Sequence, residues 1–383
     1  MARAARAVAS QTHRNLQLTL ALAPSQFAGG REFGVVSQWG LFDRILDPQH
    51  CLRLALGLGS LTVAERAAVV HLGGDLWISA RLARRLRSPA CAFAETILIA
   101  RRHTPFARVF ATSETIAERL AAAGVPRHKI VVSGDPRCDA FADEDRGESR
   151  ASQRSGPALG GHYTLAMLPG SRDSFFQLLI PYFLQVANAL APIHPEMMFQ
   201  IAVSPFLSPP LVTQFREEVA RAWPRLRVEW VSDHLWTALA RSDLVLTIPG
   251  TNTLELAMAG IPFAVLLPTH RVDALPAEGV LEWVGRIPGL GRLIKELALP
   301  RYLASRPFLA LPNIRAGRII VPELVGRWTP TEVANRLADL LRHPEERATM
   351  ATALRQLYGG TSGAATVVAT QAFALAESQE APR

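Results

Sequence analysis

Thr164-Leu165-Ala166-Met167-Leu168-Pro169-Gly170-Ser171-Arg172 carries the strongest fold signal in the chain. A short apolar run of strand length enters a proline-glycine turn, and a helix pattern from Phe175 to Leu190 follows at once. A strand that passes through a glycine turn into a helix is the repeating junction of parallel α/β sheets. Toward the carboxyl end the alternation continues. Strands are expected at 198–203, 227–230, 244–248 and 263–267, and helices at 211–223, 233–240 and 253–259. Residues 329–341, 345–357 and 364–376 read as closing helices.

Toward the amino end the same alternation appears a second time. Strands are expected at 16–22, 67–72, 90–94, 108–111 and 129–132, with helices at 76–86 and 113–123. Ser113 before the second of these helices and Gly124 after it are capping residues. Between the halves, Phe141 to Tyr163 is polar and rich in Gly and Ser, as a linker is. The organisation expected is therefore an amino-terminal domain over 1–145, a linker over 146–163, a carboxyl-terminal domain over 164–340, and terminal helices with a tail over 341–383.

Three stretches of the carboxyl half suit the binding of a phosphorylated ligand. At Gly170-Ser171-Arg172, backbone N–H groups at a helix start are approachable, and the guanidinium adds a two-pronged partner for a phosphate. Ile248-Pro249-Gly250-Thr251-Asn252-Thr253-Leu254-Glu255 repeats the arrangement with two threonine hydroxyls. Two such cradles on one sheet predict a diphosphate, although each alone is also the chemistry of an ordinary capped turn. In the third stretch, Leu311 to Glu323, Asn313, Arg315, Arg318 and Glu323 interrupt an apolar run. Such groups are buried only with a polar ligand or with one another. A surface loop with internal ion pairs is the plainer alternative.

In this order and spacing the three motifs resemble the lipid-A-disaccharide synthase family of glycosyltransferases. The likeness covers most of residues 65 to 340 and is closer still to the shorter synthase-like proteins of photosynthetic lineages. The fold it implies is GT-B: α/β, two Rossmann-like domains with parallel sheets. The activity it implies is transfer of an acylated glucosamine from a UDP-sugar donor to a lipid-linked glucosamine acceptor in lipid A biosynthesis. Donor binding would fall to Gly170, Ser171, Arg172, Gly250, Thr251, Thr253, Glu255, Asn313, Arg318 and Glu323, with Glu323 on the ribose hydroxyls. Neither metal nor cofactor is implied, since backbone amides and arginine can neutralise the leaving diphosphate.

The chain departs from the family pattern in three places. The family's opening strand and Gly-Glu turn have no counterpart, so the amino-terminal domain is expected to lack its first βα unit. Phe175 stands where the family has an acid, and Pro249 where it has a small polar residue. These departures keep two other readings in view: a UDP-sugar transferase with another lipid acceptor, and a non-catalytic nucleotide-sugar-binding protein.

An inverting transfer needs a carboxylate to deprotonate the acceptor hydroxyl. Asp75 follows a strand and Gly73-Gly74, at the sheet edge where open α/β folds place their sites, and matches an acidic position of the family. Its plainer role is to cap the helix that begins at Leu76. Glu95 is the reserve base, and His71 reads as a strand residue with a satisfied hydrogen bond.

Residues 273–307 form an unusual insertion. Trp283 and several aliphatic residues alternate there with Arg286, Arg292, Lys295 and Arg301, a basic amphipathic pattern that suits an anionic membrane surface. A helical hairpin with a solvated arginine face fits the same periodicity.

The net charge of +8, almost all of it arginine because only Lys129 and Lys295 are lysines, attracts anions without selecting among them. No zinc-finger, recognition-helix or aromatic-basic strand pattern points to nucleic acid. Three scattered cysteines, Cys51, Cys91 and Cys138, predict a reducing, cytoplasmic setting without a disulfide framework. The uncharged stretches 174–195 and 197–215 reach bilayer length but are broken by prolines and amides, so neither is expected to span a membrane. Arg3, Arg6 and Arg14 before the apolar run 16–23 faintly resemble a leader, against the alternative of a buried strand. The expected placement is therefore cytoplasmic and peripheral to a membrane, with long terminal helices that leave room for an oligomer.

Overall fold

The computed structural model describes residues 1–24, 30–64, 66–94, 97–139, 162–232, 235–269, 307–358 and 363–378. Two compact units emerge, Met1–Glu144 with Gly360–Arg383, and Asp145–Gly359.

The first unit runs α1 (Ala2–Gln11), β1 (Thr19–Ala21), α2 (Glu32–Gln38), β2 (Arg44–Leu46), α3 (Pro48–Leu56), β3 (Val69–His71), α4 (Leu76–Arg85), β4 (Ala90–Ala94), β5 (Arg108–Ala111), α5 (Glu114–Ala122) and β6 (Ile130–Val132). Strands β3-β4-β5-β6 pair in chain order, all parallel, while β1 and β2 form a separate parallel pair. The strand expected over 16–22 is realised in part as β1, which α2 follows. This part packs with the rest through side chains: Ala21, Ala23 and Leu46 meet Cys51 and Leu54 of α3 and Ile78 and Leu82 of α4. The apolar run behind Arg3, Arg6 and Arg14 supplies β1. Ahead of it Arg6 is fixed by the Leu41 carbonyl and by Asp43 at 3.1 Å, so α1 is folded onto this unit.

The second unit runs β7 (Thr164–Leu168), α6 (Asp173–Leu190), β8 (Met198–Ala202), α7 (Pro209–Ala222), β9 (Arg227–Val231), α8 (Leu235–Ala240), β10 (Leu244–Thr247), α9 (Asn252–Met258), β11 (Phe263–Pro268), α10 (Leu311–Ala316), β12 (Glu323–Gly326), α11 (Pro330–Arg342) and α12 (Pro344–Tyr358). Its six parallel strands lie in the order β12-β11-β10-β7-β8-β9. The chain therefore starts in the middle, winds outward through β8 and β9, and returns to the other side of β7. Alternation along the strands turns Leu165, Met167, Leu244 and Leu246 to one face, where Phe176, Ile180 and Phe183 of α6 and Leu337 and Leu341 of α11 complete a core. The 174–195 stretch is apolar for this reason: α6 is buried against the sheet. Among the described residues no helix is long and apolar enough to cross a membrane.

The stretch expected as terminal helices over 341–383 divides between the units. Helix α12 stays with the second, and the last helix, α13 (Ala364–Glu377), joins the first. There Val368 packs with Cys91, Phe93 and Phe110, and the Asp139 carboxylate accepts the backbone N–H groups of Gly363 and Ala365. A carboxylate at that end of a helix satisfies orphan donors and complements the helix dipole.

Candidate functional site

In an open parallel sheet, ligands bind outside the carboxyl ends of the strands, where the winding reverses. In the second unit that point lies between β7 and β10, whose ends are paired in register, Leu168 with Thr247. The glycine turns that follow these two strands are the first two predicted motifs, so the sheet order brings them side by side.

Each turn is held by its own sequence. Gly170 has φ +136°, and a Cβ there would lie 3.0 Å from Phe175 Cβ and 3.6 Å from Ile248 Cδ1. Only glycine fits between the start of α6 and the neighbouring turn. Phe175, the departure from the family's acid, is what closes over this glycine. Arg172 is the extended residue that precedes α6, half-buried, with Ser171 exposed beside it. Asp173, which the motif reading passed over, accepts the backbone N–H of Ser208 at 2.8 Å and ties the loop after β8 to the start of α6.

In the second turn Gly250 and Thr251 are exposed. The Asn252 amide donates across the turn to the Thr247 hydroxyl and closes it. Thr253 is fully buried and its hydroxyl donates to the Gly250 carbonyl at 2.7 Å. It also accepts the N–H of Leu311 at 3.2 Å, which joins the second motif to the third. Glu255 follows on α9, half-buried.

The third motif is an internally bonded unit. Glu323 accepts the N–H of Leu309 at 2.9 Å and of Ala310 at 2.9 Å, so its carboxylate holds the chain entering α10. Asn313 is completely buried, donates to Glu323 at 2.8 Å and to the Val321 carbonyl at 2.9 Å, and accepts from Ile320 and Val321 N–H. Both donors and both acceptors of its amide are thereby used. Asn313 shapes the site rather than offering a free group to a ligand.

Arg318 lies elsewhere. It follows Gly317, which ends α10 at φ +65°, and so stands at the other end of that helix from Thr253 and Glu323. Its side chain is exposed in a groove of about 460 Å³ that Arg336, Glu345 and Met350 also line. The structure therefore sets the turns at Gly170-Ser171-Arg172 and Gly250-Thr251 side by side, links Thr253 through the start of α10 to Glu323, and leaves Arg318 apart.

In the first unit Asp75 caps α4: its Oδ1 accepts the N–H of Trp77 at 2.9 Å and lies 3.6 Å from an Arg102 guanidinium nitrogen. The side chain is 54% exposed. His71 ends β3 as a buried residue bonded to Ser79 Oγ at 2.8 Å. Burial holds its pKa below the ordinary value, against an opposing pull from Asp75. Glu95 and the insertion residues Trp283, Arg286, Arg292, Lys295 and Arg301 lie outside the described residues. Among the described residues, no group of three His, Cys, Asp or Glu side chains is placed to hold a metal.

The chain is similar to known proteins in sequence and in fold. Residues 144–277 match the family model of lipid-A-disaccharide synthetase. The lipid-A-disaccharide synthase of Chromobacterium violaceum is 28% identical over 238 residues, 62% of this chain and 54% of that protein. That of Gluconobacter oxydans is 30% identical over 187 residues, 47% of this chain and 37% of that protein. The chain thus matches about half, or less, of the length of these relatives.

Among solved structures, a putative UDP-N-acetylglucosamine 2-epimerase from Listeria monocytogenes aligns over 100% of this chain and 94% of its own, with a TM-score of 0.59 at 15% identity. MurG of Acinetobacter baumannii aligns over 96% and 94%, with a TM-score of 0.53 at 14% identity. These likenesses establish the fold, two Rossmann-like domains of the GT-B kind. Through residues 144–277 and the longer alignments around them, the chain is similar in sequence to lipid-A-disaccharide synthases.

Proposed function

We propose that the second unit binds the UDP moiety of a nucleotide sugar across the two glycine turns, and that the chain transfers an acylated glucosamine from it to a lipid-linked glucosamine. One observation carries this reading: the two turns are neighbours at the reversal point of the sheet, and there Ser171, Gly250 and Thr251 are exposed and Arg172 is half-buried. Backbone N–H groups at the start of an 18-residue helix and a guanidinium beside them suit a diphosphate leaving group. Among the described residues, Glu323 Oε2 accepts the Leu309 N–H alone, which leaves it capacity for a ribose hydroxyl.

In the transfer, the acceptor hydroxyl oxygen forms a bond to the anomeric carbon while the bond from that carbon to the diphosphate breaks. The electron pair leaves with UDP, and Asp75 Oδ2 takes the hydroxyl proton. The name shared by the relatives supports the reaction class. The basic amphipathic pattern of the insertion supports delivery of the lipid acceptor from an anionic membrane surface.

The chain should convert a UDP-activated acylated glucosamine and a lipid-linked acylated glucosamine into a disaccharide and UDP, detected by mass spectrometry. Asp75→Asn, which preserves a good helix cap, should lower turnover by about 10²-fold or more with UDP affinity unchanged. A parent chain that binds UDP yet forms no disaccharide would overturn the transfer reaction. Full turnover in Asp75→Asn would remove Asp75 as the base.

A further inference from the structure

The resemblance places Thr253 among the residues that touch the donor, but its surroundings assign it another task. Its side chain is completely buried and its hydroxyl is engaged in two directions: it donates to the Gly250 carbonyl at 2.7 Å and accepts from the Leu311 N–H at 3.2 Å. Gly250 belongs to the exposed turn. Leu311 begins α10, whose preceding N–H groups, Leu309 and Ala310, are held by Glu323. One hydroxyl therefore joins the diphosphate turn to the short helix anchored by Glu323.

We infer that Thr253 is a positioning residue, a latch that sets the turn at Gly250 against Glu323 without itself meeting the ligand. This rests on the donor-site reading above. The Leu311 N–H is one of the donors that a helix start leaves without an intrahelical partner, so loss of the hydroxyl leaves it unsatisfied. The turn has its own second tie, because the Thr253 backbone N–H also donates to the Gly250 carbonyl, at 3.1 Å. Removing the hydroxyl should thus loosen the link between turn and helix while leaving the turn folded.

The test is calorimetric titration of the full chain with UDP, for the parent, Thr253→Val and Thr253→Ser, well below every melting midpoint. Valine keeps the shape and removes the hydroxyl. It should weaken UDP binding about tenfold, equivalent to about 1.4 kcal/mol, and serine should restore it. A second readout separates positioning from general stability. Glu323→Gln should weaken UDP binding in the parent but add little in the Thr253→Val background, because the two residues act through one link.

Should the valine variant not fold, Thr253→Ala carries the same comparison within the threonine volume. Equal affinity in parent and hydroxyl-free variants, or fully additive effects of the two substitutions, would overturn the latch alone. A parent chain that does not bind UDP would overturn the donor site and the latch with it.

Discussion

Pro169-Gly170-Ser171 and Leu72-Gly73-Gly74 are similar turns, each at the end of a parallel strand and each followed by a helix, yet they are built to different specifications. At Gly170 an added Cβ would meet Phe175 Cβ at 3.0 Å and come within 3.6 Å of Ile248 on the neighbouring turn. At Gly73 it would meet nothing within 4 Å. The first glycine is demanded by packing at the reversal point of the sheet, where backbone must approach backbone and a ligand can approach both. The second is open at Gly73, while Gly74 beside it has φ +87° and a Cβ there would lie 3.2 Å from Ala23 Cβ; the proposed base, Asp75, follows. A backbone cradle and a presented carboxylate are the two devices that a sugar transfer from a diphosphate requires.

This contrast can be broken by substitution. Gly170→Ala should cost about 3 kcal/mol in folding stability, since it combines a positive-φ residue with overpacking against Phe175, and chemical denaturation would show it as a shifted midpoint. A smaller effect is expected from acid. Burial lowers the His71 pKa, so the unfolded chain binds a proton there more readily than the folded one, and stability should fall as pH drops below about 6.5. His71→Asn should flatten that part of the profile. Asp43 and Asp47 have pKa values lowered by hydrogen bonds from backbone N–H groups, and their loss of stability belongs below pH 4. The smallest effect is Gly73→Ala, expected within about 0.5 kcal/mol of the parent by the same denaturation measurement.

Legibility in the sequence followed burial. Strands β4, β5 and β7 were expected at the residues where they occur, because runs covered on both faces are uniformly apolar and end in turn residues. Arg44-Ile45-Leu46 and Glu323-Leu324-Val325-Gly326 are short, partly exposed strands without such a pattern. Pairing with a neighbour makes them strands, and pairing is not written in local periodicity. The turns at Gly170 and Gly250 were legible from their glycines at strand ends, and the sheet order sets them side by side. Spacing along the chain did not reveal that α10 carries Arg318 away from Glu323, nor that Thr253 and Asn313 spend their polar atoms internally. Those facts depend on where a short helix starts and stops.

The central claim is that the two turns of the second unit bind a nucleoside diphosphate. Its most direct test is a calorimetric titration of the full chain with UDP beside Arg172→Ala, which removes a guanidinium while leaving both glycine turns intact. Saturable binding by the parent that the substitution weakens about tenfold or more is the predicted result. Absence of binding by the parent, or equal affinity in the two chains, would contradict the account.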